Sequence, residues 1–183
     1  MKQFDYIIAG GGAAGLTLAY LLLAHENTKK TILIIDKDDK SVNDRTWCFW
    51  EKEVNLLENL VYKQWNRASF FGPNFKQTFA LPPYSYKMIR GKNFYDFMKL
   101  ELGKFNNLTW LKESIVGIDP QGIVKTSTET YSGNMVFNST AGLKDFQIPS
   151  KHVQFLQHFK GRFIQTEKPC FDPEIMTYMD FRI

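Results

Sequence analysis

The stretch DYIIAGGGAAGLTLAYLLLAHENTKKTILIIDK, residues 5–37, constrains this chain more than any other. Tyr6-Ile7-Ile8 is a short apolar run of the kind found in a parallel strand covered on both faces. Gly10, Gly12 and Gly15 follow as G-x-G-x-x-G, and residues 13–24 are rich in Ala and Leu, the composition of a helix. His25 suits the negative pole at the end of that helix, and Asn27 suits its termination. Thr31–Ile35 reads as a second apolar strand, closed by Asp36. The whole is a β-α-β unit, the setting that turns a weak glycine pattern into a specific one.

Each residue of the unit has a physical task. Gly10 permits the tight turn out of the first strand. Gly12 lets the backbone approach a pyrophosphate, whose charge is favoured at a helix N-terminus. Gly11, Ala13 and Ala14 keep the same loop small, and Gly15 allows the helix to pack closely on the sheet. Asp36 lies about 20 residues beyond Gly15, where a carboxylate accepts a hydrogen bond from a ribose 2′-hydroxyl. A carboxylate there repels a 2′-phosphate, so this site favours FAD or NAD over NADP.

The triple glycine with small Ala13-Ala14 resembles the opening of two-domain flavoproteins of the glutathione-reductase-like class. In that class a late strand returns to the nucleotide sheet and ends in a small-residue turn beside the cofactor. GNMVFNSTAG, residues 133–142, has that form: Met135-Val136-Phe137 runs into Ala141-Gly142. Gly142 is therefore a cofactor candidate, although Asn138-Ser139 replace the usual acidic residue. The expected fold is α/β, a Rossmann-like dinucleotide domain with inserted β-rich segments. Residues 1–45 and 132–150 are assigned to the FAD-binding part, and 46–131 and 151–183 to a substrate part.

Between these landmarks the period changes several times. Val54, Leu57, Val61 and Trp65 have roughly helical spacing. Residues 70–83 are aromatic and broken by Gly72, Pro73, Pro82 and Pro83, which predicts short strands and turns. Asn93 is placed to cap a helix with Phe94, Phe97, Met98 and Leu102 on its inner face and Gly103 at its end. Leu108–Leu111, Ile115–Ile118 and 122–126 read as three strands, the last two joined by Asp119-Pro120-Gln121.

Composition narrows the class further. The net charge of +4 is mild, and no dense Lys/Arg stripe of the nucleic-acid kind is present. Aromatic residues make up 15% of the chain, enough to fill a core and also to line a site for a large apolar or π-rich ligand. Cys48 and Cys170 stand far apart without a CxxC pair, so a reduced compartment and two buried thiols are expected, and no metal. No stretch has the apolar length of a membrane span.

NDRTWCFW, residues 43–50, resembles the Asn-Asp-x-Thr-Trp-x-Phe segment of lycopene cyclases. A second stretch, residues 157–183, is similar to the Gln-x-x-x-Gly, Phe-Asp-x-x-x-Met and Met-Asp-Phe-Arg pieces of the same family. With the β-α-β unit at 5–36, the resemblance covers three separated places, in what would be the N-terminal half of such an enzyme.

The resemblance implies a flavin-dependent reaction without net redox change. Lycopene is protonated at a terminal double bond, the cation closes a six-membered ring, and a proton is then lost to give a cyclic carotene. Reduced FAD assists, and NAD(P)H supplies its electrons. The insoluble substrate implies peripheral contact with a membrane, and the reduced compartment expected from the cysteines places the enzyme in the cytoplasm. Trp47, Phe49 and Trp50 suit cation–π attraction of about 0.5–2 kcal/mol each. They equally suit packing against the flavin ring or filling the core between domains. Arg90 matches an arginine of related aromatic hydroxylases that touches the flavin or its phosphates, and it also suits a solvated helix entry. Among acid candidates Glu51, Glu53, Asp172 and Asp180, only Asp180 lies inside a matching motif. Two competing readings are an FAD-dependent monooxygenase or desaturase of the same fold, and a fragment that only binds nucleotide.

Overall fold

The computed structural model describes residues 1–140, 151, 153, 155 and 160–182. Along the chain run β1 (Lys2–Ala9), α1 (Ala13–Tyr20), β2 (Ile32–Asp36), β3 (Thr46–Glu51), β4 (Val61–Trp65), β5 (Arg67–Gly72), β6 (Phe75–Ala80) and β7 (Ser85–Arg90). They are followed by α2 (Gly91–Leu102), β8 (Leu108–Lys112), β9 (Ile115–Ile118), β10 (Ile123–Thr126), β11 (Thr130–Asn138) and β12 (Met176–Asp180). The chain divides into two units, Met1–Asp44 with Gly91–Gln147, and Arg45–Arg90 with Ile148–Ile183.

The first unit is built on one six-stranded sheet in the order β8-β2-β1-β11-β10-β9. The four strands from β8 to β11 are parallel, and β10 and β9 close the sheet antiparallel. Ile7, Ile8, Ala9 and all of Ile32–Ile35 are buried. Burial of consecutive residues, rather than alternate ones, is the mark of parallel strands covered on both faces. Each such isoleucine contributes about 1.5–3 kcal/mol relative to its exposed state. The chain turns from β1 toward β2 on one side and meets β11 on the other, which makes a switch point at the carboxyl ends of the strands.

α1 buries Gly15, Leu16 and Ala19 and continues into a π-helical turn, Leu21–His25. Asn27 then takes the left-handed conformation, φ +47°, that ends the helix. α2 buries Phe94, Tyr95, Met98 and Leu102, and the Gly103 N–H closes it on the Lys99 carbonyl at 3.0 Å. It starts two residues before the expected Asn93 cap. The donor at its first turn is satisfied from a distance: Asn43 Oδ1 accepts the Lys92 N–H at 3.1 Å.

The sequence places residues 91–131 in a substrate part, but α2, β8, β9 and β10 belong to the first unit, and the boundaries fall after Asp44 and Arg90. The reason is the free edge of β2. Being buried on both faces it cannot leave its backbone unpaired, and β8 pairs with it from Ile32↔Leu108 to Asp36↔Lys112. The helical spacing over 54–65 yields only a short 3₁₀ turn, Glu58–Leu60, followed by strand β4. There Val61, Lys63 and Trp65 alternate with more exposed neighbours, and the two-residue period prevails.

The second unit holds two three-stranded sheets, β12-β5-β6 and β3-β7-β4. The aromatic, Gly/Pro-broken stretch, where short strands and turns are expected, falls in a hairpin of β5 and β6, with Arg67↔Ala80 through Gly72↔Phe75 in register. β12 lies parallel to β5. β3, the TWCFWE segment, is antiparallel to β7 over Thr46↔Arg90 to Glu51↔Ser85. Lys87, in the middle of β7, is 3% exposed and reaches Glu51 at 2.8 Å and Glu58 at 2.6 Å. Both cysteines are exposed, against the expectation of buried thiols. Cys48 falls on the outward phase of β3, where pleating and not hydrophobicity decides burial.

Candidate functional site

The turn after β1 is held open by three constraints. Gly10 has φ +106°, and its N–H is tied to the Ile35 carbonyl at 2.8 Å. The Gly11 N–H donates to Asp36 Oδ2 at 2.6 Å. Asp36 also accepts the Asp38 N–H at 2.8 Å and pairs with Lys40 Nζ at 3.2 Å, with only 11% of its side chain exposed. The carboxylate at the end of β2 is thus fixed against the glycine turn, and charge-assisted bonds of this kind are the stronger ones.

The glycines differ in what requires them. A Cβ on Gly15 would run into the Gly10 carbonyl and stand 2.9 Å from Ile8 Cγ2, so close helix–sheet packing requires glycine there. A Cβ on Gly12 would meet no atom of the described residues within 4 Å. None of these residues requires glycine at this position, whereas a ligand approaching the backbone does. Gly12 is also the N-cap of α1, makes no side-chain cap bond, and no acidic residue stands in the first turn. Among the described residues nothing takes up the first backbone N–H groups and the positive pole of the helix, which suit an anion. A dinucleotide pyrophosphate fits these residues.

Beside the turn a cleft of about 310 Å³ opens at the carboxyl ends of the strands. It is lined by Gly10, Ile35, Asp36 and Lys37 together with Glu113, Ser114, Ile115 and Thr140. Thr140 belongs to the NSTAG turn singled out in the sequence. The Ser139 N–H donates to the Ala9 carbonyl at 2.8 Å, which brings that turn against β1 as expected of a returning strand. Gly142 lies outside the described residues. Glu113, Ser114 and Ile115 had no signal in the sequence, since nothing local shows that β8 ends beside β2.

A family model described as "Lycopene cyclase protein" matches residues 5–183. The chain belongs to the lycopene cyclase family. A search of curated proteins returns no match. Among solved structures it is similar to PqsL of Pseudomonas aeruginosa, described as a probable FAD-dependent monooxygenase, with 12% identity and a TM-score of 0.57 over 74% of this chain and 42% of that one. It is also similar to 2-methyl-3-hydroxypyridine-5-carboxylic acid oxygenase, with 15% identity and a TM-score of 0.56 over 74% and 38% of the two chains. A flavin-dependent brominase, Bmp2, has 10% identity and a TM-score of 0.55 over 76% and 38%. At such identities the likeness is one of fold. The chain spans about two fifths of the length of these structures.

In this member of the cyclase family the remaining candidates lie in the second unit and are not one constellation. By the alternation of β3, Trp47 and Phe49 stand on one face and Trp50 on the other. Trp50 packs on Tyr86 at 4.8 Å and on Tyr178 at 6.2 Å between ring centroids, and 46% of it is exposed. The three aromatics expected to form one substrate-facing set are therefore divided by the pleat. Arg90 ends β7 with its guanidinium 3.4 Å above the Tyr62 ring centroid. Asp180 is an exposed carboxylate gripped by Arg182, with Nε at 2.9 Å and Nη2 at 2.6 Å. The Arg182 hydrogen bonds push its pKa down to about 2, which leaves it no proton to donate near neutrality. The structure speaks against Asp180 as the catalytic acid. No described helix is long and apolar enough to cross a membrane.

Proposed function

We propose that this chain is the nucleotide-binding portion of a flavin-dependent lycopene cyclase, with FAD seated at the turn after β1. The observation that carries the reading is the open helix N-terminus at Gly12 beside the fixed Asp36, in a chain matched by the lycopene cyclase family over residues 5–183. Gly10, Gly11, Gly12, Ala13 and Ala14 would hold the pyrophosphate by backbone N–H groups. Asp36 would accept the ribose hydroxyl, with Gly142 and Arg90 as further candidate contacts. The flavin, when reduced by NAD(P)H, supplies an electron-rich surface to the cationic chemistry of the substrate.

Ring closure of a polyene end needs an acid, a site that excludes water, and electron-rich groups around the cation. Trp47 and Phe49 are proposed for the last of these tasks. The proton donor is assigned to no residue of this chain. Lycopene is insoluble in water, so the enzyme is placed at a membrane surface. The net charge of +4 supports contact with anionic lipid. The glutathione-reductase-like class suits the β-α-β opening and the returning strand β11.

A second reading, an FAD-dependent oxygenase of the same fold, draws on the structural relatives. One experiment separates the two. The protein carrying these residues is expressed in a lycopene-accumulating bacterium and the pigments are resolved by chromatography. The expected outcome is a cyclised carotene of unchanged elemental composition. An oxygenated or desaturated product would favour the second reading, and unaltered lycopene beside a well-folded yellow protein would refute both.

A further inference from the structure

Lys40 has φ +54°, the left-handed conformation that glycine adopts freely and a lysine adopts only under strain. Such residues persist where the surrounding structure holds them, and they gather at ligand clamps. The contacts that hold Lys40 join the loop after β2 to α2. Its N–H donates to Asp38 Oδ1 at 2.7 Å, and its carbonyl accepts Lys99 Nζ of α2 at 3.3 Å. Its own Nζ stands 3.2 Å from Asp36 Oδ2 and 5.8 Å from the centre of the buried Tyr95 ring. Only 12% of the Lys40 side chain is exposed, and 11% of its partner's. A lysine folded inward against its backbone preference serves the group it touches.

That group is the carboxylate lining the nucleotide cleft. An ionised carboxylate has about four acceptor positions, two on each oxygen. Oδ2 takes the Gly11 N–H at 2.6 Å and the Lys40 ammonium, and Oδ1 takes the Asp38 N–H at 2.8 Å. Among the described residues one position is left over, and it is on Oδ1. Two donors, one on each oxygen, let the plane of a carboxylate tilt about the line that joins them. A third donor fixes the plane. Hydrogen bonds weaken steeply as their angle falls, so a fixed plane makes the open position selective.

We infer that Lys40 is a positioning residue for ribose recognition, holding Asp36 so that only its Oδ1 is offered to a ribose hydroxyl. The inference rests on the reading of Asp36 as the ribose contact of a dinucleotide site. The glycine motif and its acid call for no lysine four residues further on. The role belongs to this loop, whose left-handed turn brings the side chain back onto the end of β2.

The test is displacement of protein-bound flavin from the full chain by ADP or by 2′-deoxy-ADP, read as recovered flavin fluorescence. In the parent, ADP should displace at a concentration at least tenfold lower, the discrimination expected of one hydrogen bond to a charged group. Lys40→Met should bring the two concentrations within threefold of each other. Lys40→Gly should do the same, and because glycine keeps the turn without strain its unfolding midpoint should stay near that of the parent. Asp36→Asn should remove the preference by itself, and adding Lys40→Met to it should change the ratio no further, since Lys40 acts through Asp36. A tenfold preference kept in both Lys40 variants overturns the inference and leaves the flavin site standing. Equal displacement in the parent, or a preference that survives Asp36→Asn, overturns Asp36 as the ribose contact and the role of Lys40 with it. A parent that binds no flavin overturns the nucleotide reading itself.

Discussion

The Gly10 carbonyl oxygen occupies the place that a Cβ on Gly15 would need, and the Ile8 Cγ2 methyl stands 2.9 Å from the same point. Gly15→Ala should therefore act on the fold, costing about 1–3 kcal/mol as the helix is forced away from the sheet. At roughly 2–4 °C per kcal/mol for a domain of this size, the unfolding midpoint should drop visibly. Gly12→Val should do the reverse. Its extended backbone and open surroundings accept a β-branched residue, so the midpoint should hold while flavin absorbance disappears. Loss of flavin and fold together in Gly12→Val would count against the pyrophosphate assignment.

Lys87 is a buried cation paired with two carboxylates in the second unit. Burial alone would lower its pKa, but the hydrogen bonds to Glu51 and Glu58 outweigh that and hold it above its usual value. Lys87→Met leaves two carboxylates facing each other without their cation and should cost about 3 kcal/mol, the lower end for a broken buried pair because both glutamates are partly exposed. Adding Glu51→Gln and Glu58→Gln should recover part of the loss. Thermal unfolding of the three proteins decides it, and an unshifted midpoint in Lys87→Met would show the cluster to be energetically idle.

Tyr131 gives the chain an alkaline limit. It is 4% exposed, and burial, then the hydrogen bond to Glu129, push its phenol up to about 12. In the unfolded chain the value is about 10. A raised folded value means that the contribution is complete below pH ~10 and lost as pH climbs toward 12. Denaturant unfolding across that window should show the parent losing stability more steeply than Tyr131→Phe. Identical slopes would mean that the phenol titrates as it does in water.

Trp47 and Trp50 should respond differently to truncation, because β3 turns them to opposite faces. Trp50→Ala removes the Tyr86 and Tyr178 contacts, worth about 0.5–1.5 kcal/mol each beyond their area, and should cost stability with little change in pigment conversion. Trp47→Ala should lower conversion about five- to thirtyfold, as expected for ~1–2 kcal/mol of lost cation stabilisation, with folded yield retained. Carotene yield per unit of folded protein, measured for both, separates the two roles. Equal effects would mean that neither indole faces the reacting end.

The β-α-β unit was legible residue by residue. Gly15, the left-handed Asn27 and the Asp119–Gly122 turn act through neighbours a few positions away, while Gly10 and Asp36 are marked by the spacing of the motif although their bonds to Ile35 and Gly11 join the two ends of the unit. α2 was legible for the same reason, apart from a start set by Asn43 from 49 positions away. Sequence likeness also carried the family, through short motifs whose residue identities survive without any knowledge of their contacts.

Tertiary structure decided what depends on which strand lies beside which. β8 completes the sheet against β2, seventy-odd residues before it, and that single pairing moves residues 91–131 into the first unit and sets Glu113 beside Asp36. The pleat of β3, fixed by its register with β7, parts Trp50 from Trp47 and Phe49. Spacing along a chain encodes the period of a helix or a strand, but the partner of a strand edge is chosen by the burial of the whole sheet.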